Sequence, residues 1–171
     1  MIVVKVGGSL YDHPRLGLGL LAYLNSLPEP VLLVPGGGSF ADAVRKLDAI
    51  HHLGDDASHS LAMKAMNLAG EFLKQLIPAL VHDSRFDVYD AEFDNTLPHS
   101  WNVTSDSIAA QGAINFHASR LIILKSIDIP LGISWTAAAE RGWVDPCFPA
   151  LIHRVKFPIE VINFRRRLDS L

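Results

Sequence analysis

The chain has 171 residues, of which 49% are hydrophobic and 19% are charged, and its formal net charge is −3. This net negative charge, with positive charge concentrated only at residues 165–167, argues against nucleic acid as the main partner. No apolar run approaches the ~20 residues of a membrane span, and the length favours one domain over residues 1–171. The single cysteine, Cys147, excludes an internal disulfide, and no signal-peptide pattern precedes the first strand, so a cytoplasmic location is expected.

The first predicted strand covers Ile2–Val6, where four of five residues are β-branched. Gly7 and Gly8, followed by Ser9, let the backbone turn sharply after this strand and expose its amides. A lysine at Lys5, near such a turn, is well placed to hold a phosphate. The structural alternative is a lysine that snorkels from a strand end.

A second turn of the same kind follows an apolar strand at residues 31–34. Three consecutive glycines stand at residues 36–38, and Ser39 with Asp42 predicts the N-cap of a helix over 40–52. A strand, a glycine-rich loop and a helix together make an anion-binding arrangement, although a flexible connection is the alternative.

The remaining pattern alternates strands with helices. It predicts a helix capped by Asp12 with Pro14 in its first turn, a helix over 57–76, a strand beginning at 79–81, an edge strand near 86–89, a helix over 108–115, a strand over 120–124, a helix over 136–140 and a strand over 159–163. This order implies an α/β fold, a three-layer αβα sandwich with a mainly parallel sheet. The apolar residues of helix 57–76 cover more than one stripe, so the helix is either sandwiched in the core or shared with a second subunit, and a homodimer is expected.

Two groups of polar residues do not by their own pattern indicate an ion-binding site. His51, His52 and His59 lack a partnering cysteine or an HExxH pattern, and their spacing does not suit one helix face, so no metal site is expected. Residues 165–167 predict a solvated tail rather than an anion site.

Four segments stand in an order that resembles the amino acid kinase superfamily. They are Lys5-Val6-Gly7-Gly8-Ser9, Pro35-Gly36-Gly37-Gly38-Ser39-Phe40, Thr104-Ser105-Asp106-Ser107-Ile108-Ala109-Ala110 and Leu124-Lys125-Ser126-Ile127-Asp128. Members of this superfamily include acetylglutamate, aspartate, uridylate and isopentenyl phosphate kinases. The resemblance implies an amino acid kinase-like fold and phosphoryl transfer from ATP to a small molecule.

A narrower resemblance concerns residues 40–45, residues 55–66 and the ending 144–163. These segments are most similar to the branch linked to methanofuran biosynthesis, whose members resemble kinases that convert an aminomethyl-furanmethanol phosphate to its diphosphate. The expected reaction is phosphorylation of a phosphate monoester with ATP and Mg²⁺, in the biosynthesis of a one-carbon carrier. The metal would be held mainly by ATP oxygens and water, so no carboxylate cage is required.

The resemblance also implies roles for single residues. Lys5 would contact the transferring phosphoryl group, and Asp106 would orient that lysine by charge pairing, although an acid at a helix start is the alternative for Asp106. On the nucleotide side the implied residues are Gly7, Gly8, Ser9, Lys125 and Asp128. On the acceptor side they are Gly36, Gly37, Gly38, Arg45 and His59. An ordinary surface arginine is the alternative for Arg45.

One motif of the superfamily is missing. Its members carry a Gly-Gly-Met segment in the C-terminal part, followed by a second lysine that stabilises the transition state, whereas residues 142–146 stand near that place here. The nucleotide half is therefore expected to be reduced, and Arg154, Lys156 or the arginine tail are the candidates to replace the lysine. The alternative function is a weakened kinase homologue that acts as a ligand-binding or partner subunit.

Overall fold

A parallel sheet forms the centre of the computed structural model, which describes residues 1–91, 96–153 and 155–171. The strands are β1 (Ile2–Val6), β2 (Val31–Pro35), β3 (Phe86–Val88), β4 (Arg120–Lys125) and β5 (Ile159–Asn163). Their spatial order is β3-β2-β1-β4-β5, and every neighbouring pair is parallel. The predicted edge strand near residue 86 is thus confirmed as β3.

Helices cover both faces of this sheet. They are α1 (Leu16–Asn25), α2 (Gly38–His51), α3 (Asp55–Leu76), α4 (Ala79–His82), α5 (Ser105–Asn115), α6 (Trp135–Glu140), α7 (Phe148–Ile152) and α8 (Phe164–Asp169). The predicted three-layer αβα sandwich is confirmed. None of the helices in the described ranges is long and apolar enough to cross a bilayer.

Each face of the sheet has its own core because successive side chains of a strand point to opposite faces. Ile2, Val4 and Val6 of β1 belong to the core that includes residues of α1 and α8. Val3 belongs to the other core, together with residues of α5, α6 and α7. Lys5 lies on the side of Val3, so the strand delivers its amine towards α5 and not to solvent.

The long helix α3 contributes to both cores, whereas α2 has no buried residue. Met63 and Met66 of α3 lie in the core that includes α5, and Leu73 lies in the core that includes α1. Leu61 and Leu68 on the same helix stay exposed. Helix α2 packs mainly on α3 and also contacts the turn after β1.

The predicted helix caps at Asp12 and Ser39 are both wrong. After β1 the chain forms a 3₁₀ turn over Gly8–Leu10, and α1 begins only at Leu16, because Leu10 and Leu16 both bury in one core and a turn joins them. Helix α2 begins at Gly38 without a side-chain cap. The unsatisfied N–H groups of its first turn therefore belong to the glycine loop itself.

The predicted strand at 79–81 is helix α4. Pro78 has helical backbone angles (φ −56°, ψ −24°) and starts the turn, and Leu80 is buried in the core of α1. A short apolar run does not by itself distinguish a strand from a buried helical turn, which is why the pattern misled.

The predicted solvated tail at 165–167 is the middle of α8. Phe164 and Leu168 of this helix are fully buried against α1 and the sheet. Asn163 caps the helix by accepting a hydrogen bond from the backbone N–H of Arg166. The arginines are consequently fixed on a folded helix at the carboxyl end of β5.

Candidate active site

The two glycine loops touch each other backbone to backbone at the carboxyl ends of β1 and β2. A Cβ added to Gly8 would lie 2.3 Å from the Cα of Gly38, and Gly38 itself has a φ of +51°. Tyr11 fastens the contact because its hydroxyl donates to the carbonyl of Gly36 at 2.6 Å. Glycine is thus required here for the close approach of the loops, and their amides line the gap between them.

Lys5, Asp106 and Lys125 form a buried charge cluster below these loops. Asp106 Oδ1 lies 2.8 Å from the Lys5 ammonium, and Asp106 Oδ2 lies 2.6 Å from the Lys125 ammonium. The exposed fractions of the three side chains are 6%, 5% and 13%. Sequence reasoning paired Asp106 with Lys5 and placed Lys125 separately on the nucleotide side; the structure brings all three together.

The carboxylate of the cluster stays ionised despite its burial. Burial by itself would raise the pKa of Asp106, but the positive charges of Lys5 and Lys125 outweigh it and hold that pKa below its usual range. The pKa of Lys125 is lowered, first by burial and then by the nearby charge of Lys5, against the attraction of Asp106. One carboxylate therefore holds two amines close together, and it does so at the start of α5.

Asp145 fixes the helix that carries Asp106, and sequence reasoning gave it no role. Its buried carboxylate accepts hydrogen bonds from the backbone N–H and the hydroxyl of both Thr104 and Ser107. It also accepts from the backbone N–H groups of Cys147 and Phe148 at the start of α7. The Asp-Pro pair in residues 142–146 was the available signal, since an acid before an apolar helix start favours capping.

A cavity of about 160 Å³ adjoins the second glycine loop. Its lining includes Gly8, Gly37, Gly38, Arg45, Met63, Met66, Trp101, Thr104, Ser105 and Ile108. Glycines of both loops thus contribute to the lining together with apolar side chains of α3 and α5. Gly37, Gly38 and Arg45, which were predicted for the acceptor side, are part of it, and so is Gly8, which was predicted for the nucleotide side.

Trp101 lines this cavity, and sequence reasoning did not single it out. Its indole N–H donates to Asp48 of α2 at 2.7 Å, and the Arg45 guanidinium lies 4.6 Å from the ring centroid. Arg45 is further paired with Asp42 at 2.7 Å. The polar, irregular segment that carries Trp101 offered no periodicity by which it could be placed.

His59 lies outside the cavity lining. Its ring stacks on that of His99 with centroids 4.1 Å apart, and His99 lies 2.6 Å from Asp56. Among the described residues, no group of three or more histidine, cysteine or acidic side chains is arranged to hold a metal ion.

The residues predicted for the nucleotide side lie at the carboxyl ends of β1 and β4, next to α8, which follows β5. The hydroxyl of Ser9 lies 2.8 Å from that of Ser126, which joins the first glycine loop to the turn after β4. Arg165 of α8 donates to the carbonyl of Ser9, and Arg166 pairs with Asp128 of the β4 turn. The arginines of α8 therefore connect the first glycine loop and the turn after β4 with the C-terminal helix.

This architecture is the one found in UMP kinases, enzymes of the amino acid kinase superfamily. The uridylate kinase of Archaeoglobus fulgidus superposes with a TM-score of 0.70 at 19% identity, covering 99% of this chain and 96% of the other. The UMP kinase of Bacillus anthracis superposes with a TM-score of 0.65 at 15% identity, covering 99% of this chain and 92% of the other. The UMP kinase of Ureaplasma parvum superposes with a TM-score of 0.66 at 16% identity, covering 95% of this chain and 88% of the other.

The sequence itself has a closer relative. The [5-(aminomethyl)furan-3-yl]methyl phosphate kinase of Methanocaldococcus jannaschii is 30% identical over 191 aligned positions, which cover 96% of this chain and 88% of the relative. The chain belongs to this family of phosphotransferases. No protein-family model matches the chain.

Proposed function

We propose that the chain is an ATP-dependent kinase that phosphorylates a phosphate monoester, [5-(aminomethyl)furan-3-yl]methyl phosphate, to the diphosphate in methanofuran-type biosynthesis. The observation that carries the proposal is the position of the Lys5–Asp106–Lys125 cluster, directly below two glycine loops and beside a cavity. The relative's activity supports the choice of acceptor.

The proposed donor side uses the first glycine loop. Phosphoryl transfer demands that two anions be held in line and that charge on the transferring group be neutralised. In this proposal the amides of Gly7, Gly8 and Ser9 bind ATP phosphates, and Lys5 contacts the transferring phosphoryl group. Asp106 positions Lys5, and Lys125 and Asp128 lie on the nucleotide side.

The proposed acceptor side uses the second glycine loop and α2. Because α2 begins at Gly38 itself, the positive end of its dipole and its first free N–H groups point to the loop, where an acceptor phosphate would bind. Met63, Met66 and Trp101 give the cavity apolar and aromatic walls, which suit a furan ring. Arg45 and His59 remain candidate acceptor-side residues in this proposal.

The carboxylates of this region fit a metal that arrives with the nucleotide. Asp106 is occupied by two lysines, Asp12 is paired with Arg165, and Asp128 is paired with Arg166. Mg²⁺ would therefore be held mainly by ATP oxygens and water, and it would supply charge neutralisation on the phosphates.

The test is a turnover assay with Mg-ATP and the furan phosphate. We expect ADP and a diphosphate in equal amounts, measured by a coupled assay and by ³¹P NMR. Lys5→Ala should lower kcat by about 10²–10³-fold, the cost of one preorganised electrostatic group. Lys64→Ala, which removes an exposed lysine of α3, is the matched control and should keep full activity.

The assay also distinguishes a kinase from the second candidate, a binding or partner protein. Ligand-induced thermal stabilisation without any ADP release would support a binding or partner protein derived from a kinase. Neither stabilisation nor turnover with any nucleotide would contradict both candidates.

We further propose a homodimer formed through α2 and α3. Five large apolar side chains are exposed on these helices and their connection: Leu47, Ile50, Leu53, Leu61 and Leu68. Several large apolar side chains exposed on two packed helices are typical of an interface between subunits. Leu68→Glu should shift the mass in analytical ultracentrifugation to that of a monomer, whereas Leu131→Glu, at a lone exposed leucine elsewhere, should not.

A cytoplasmic location completes the proposal. Cys147 is half-buried. Its burial, and to a smaller extent the negative charge of Asp145, raise the pKa of its thiol, which keeps the thiol protonated and unreactive. A chain whose single cysteine has no internal partner fits a reducing compartment, and cell fractionation would test this.

A further inference from the structure

Phosphoryl transfer between two anions is helped by every cation that borders the proposed transfer site. Lys5 and Lys125 share the Asp106 carboxylate, which offsets part of their positive charge, so a further cation at the site would add to the stabilisation of the transferring group. Sequence reasoning left three candidates, which were Arg154, Lys156 and the arginines at 165–167. Arg154 lies outside the described residues.

The direction of the strands excludes Lys156. All five strands are parallel, so both glycine loops lie at their carboxyl ends. Lys156 precedes β5 and is exposed at the amino end of the sheet, about 16 Å away along a five-residue strand. The arginines of α8 follow the carboxyl end of β5 and stand on the correct side.

The three arginines of α8 have different surroundings. Arg165 donates to the carbonyl of Ser9 in the first glycine loop and pairs with Asp12 at 2.5 Å. Arg166 pairs with Asp128, and the Arg167 guanidinium lies 4.9 Å from the ring centroid of Tyr23. Only Arg165, of these three, contacts a phosphate-loop candidate directly.

Arg165 also borders open space that reaches both loops. It lines a cavity of about 600 Å³ together with Gly8, Ser9 and Gly38, and these three residues line the smaller acceptor-side cavity as well. Arg165 and residues of both glycine loops thus line the same cavity.

A phosphate can replace Asp12 as the anionic partner of Arg165. The two side chains are 31% and 73% exposed, and an ion pair so open to solvent contributes little. A guanidinium has five N–H donors in a planar fork that matches phosphate oxygens. Arg165 can therefore bind a phosphate and keep its hydrogen bond to the Ser9 carbonyl.

We propose that Arg165 is a further phosphate-binding cation of the transfer site, besides Lys5 and Lys125. The inference rests on the proposed kinase function. In the transfer, an oxygen of the acceptor phosphate forms a bond to the γ-phosphorus while the bond from that phosphorus to the β–γ bridging oxygen breaks. The electron pair leaves with ADP, and Arg165 neutralises the charge that develops on the phosphate oxygens.

Arg165→Ala, compared with Arg167→Ala, tests this assignment. We expect kcat to fall by about 10²–10³-fold in Arg165→Ala with a smaller change in KM for the acceptor, because a cation at the transferring group acts mainly on the transition state. Arg167→Ala, on the same helix, should stay within about threefold of the unmodified chain, in keeping with a surface contact. Added guanidinium at millimolar concentration should restore part of the activity of Arg165→Ala.

Asp12→Asn separates a phosphate-binding role from a structural one. If Arg165 only tethers the loop through Asp12, Asp12→Asn and Arg165→Ala will lose activity together, which would overturn the proposal. If Arg165 binds phosphate, removal of the competing carboxylate will leave kcat/KM for ATP unchanged or raised. An active unmodified chain with a fully active Arg165→Ala overturns this inference alone, whereas an inactive unmodified chain overturns the kinase function and the inference with it.

Discussion

Two groups of charged residues lie at the same end of the sheet and differ in their exposure to water. Lys5, Asp106 and Lys125 are buried and held by one carboxylate, whereas Arg165 and Arg166 reach their acidic partners across the surface. A buried cluster is preorganised, and loss of one member leaves unpaired charge behind. An exposed pair contributes little and can change partners when a ligand binds. The first group is suited to fix a geometry and the second to close around an anion.

The largest effect should follow from Asp106→Asn. The substitution leaves two buried ammonium groups without their carboxylate, which costs roughly 3–5 kcal/mol of unfolding free energy for a broken buried pair. Urea denaturation measures the loss, and Asp42→Asn, in the exposed pair with Arg45, is the control that should change little. A loss below about 1 kcal/mol for Asp106→Asn would show that the cluster is not effectively buried.

The next effect concerns pH and Lys125. Because the folded pKa of Lys125 is lowered from 10.5, the unfolded chain binds more protons between the two values, and the unfolding free energy must rise with pH in that window. Denaturation midpoints at several pH values should show this rise in the unmodified chain and a weaker rise in Lys125→Met. Equal slopes for the two proteins would contradict the lowered pKa.

A smaller effect is expected from Trp101→Phe. Phenylalanine keeps an aromatic wall but loses the hydrogen bond to Asp48, so KM for the acceptor should rise roughly 2- to 10-fold, the cost of one net hydrogen bond. KM for ATP should not change. Trp143→Phe, at an aromatic residue that does not line the cavity, serves as the control. An equal change in both KM values would contradict a role confined to the acceptor.

The smallest effect should come from Arg166→Ala. The side chains of Arg166 and Asp128 are 71% and 56% exposed, so loss of their pairing should lower the unfolding free energy by about 0–1 kcal/mol. Thermal denaturation at low and high salt measures it. A loss above about 2 kcal/mol would place this pair with the buried cluster and break the contrast between the two groups.

The sheet and the glycine loops were predictable because their signals are local. A β-branched run at Ile2–Val6 and an apolar run at residues 31–34, each followed by glycines, predicted two strands and two turns, and both are present. The pairing of Asp106 with Lys5 came from the resemblance, since the residues are about one hundred positions apart. No periodicity in either segment could have brought them together.

Other parts of the site depend on tertiary packing. Trp101 gains its place through Asp48 and Arg45 of α2, and Arg165 gains its place because Phe164 and Leu168 anchor α8 in the core. In sequence, three adjacent arginines near other polar residues predict a solvated tail, because the burial of their apolar neighbours is visible only in the fold.

The hydrogen bonds of Asp145 have a consequence for the order in which the protein becomes functional. The amides at the start of α5 find their acceptor, Asp145, in a residue that is made about forty positions later. During synthesis, which proceeds from the N-terminus, the helix that presents Asp106 is therefore completed only after Asp145 has left the ribosome. Both glycine loops precede it by more than a hundred residues, so the nascent chain has its phosphate loops long before the carboxylate that organises the lysines is held in position.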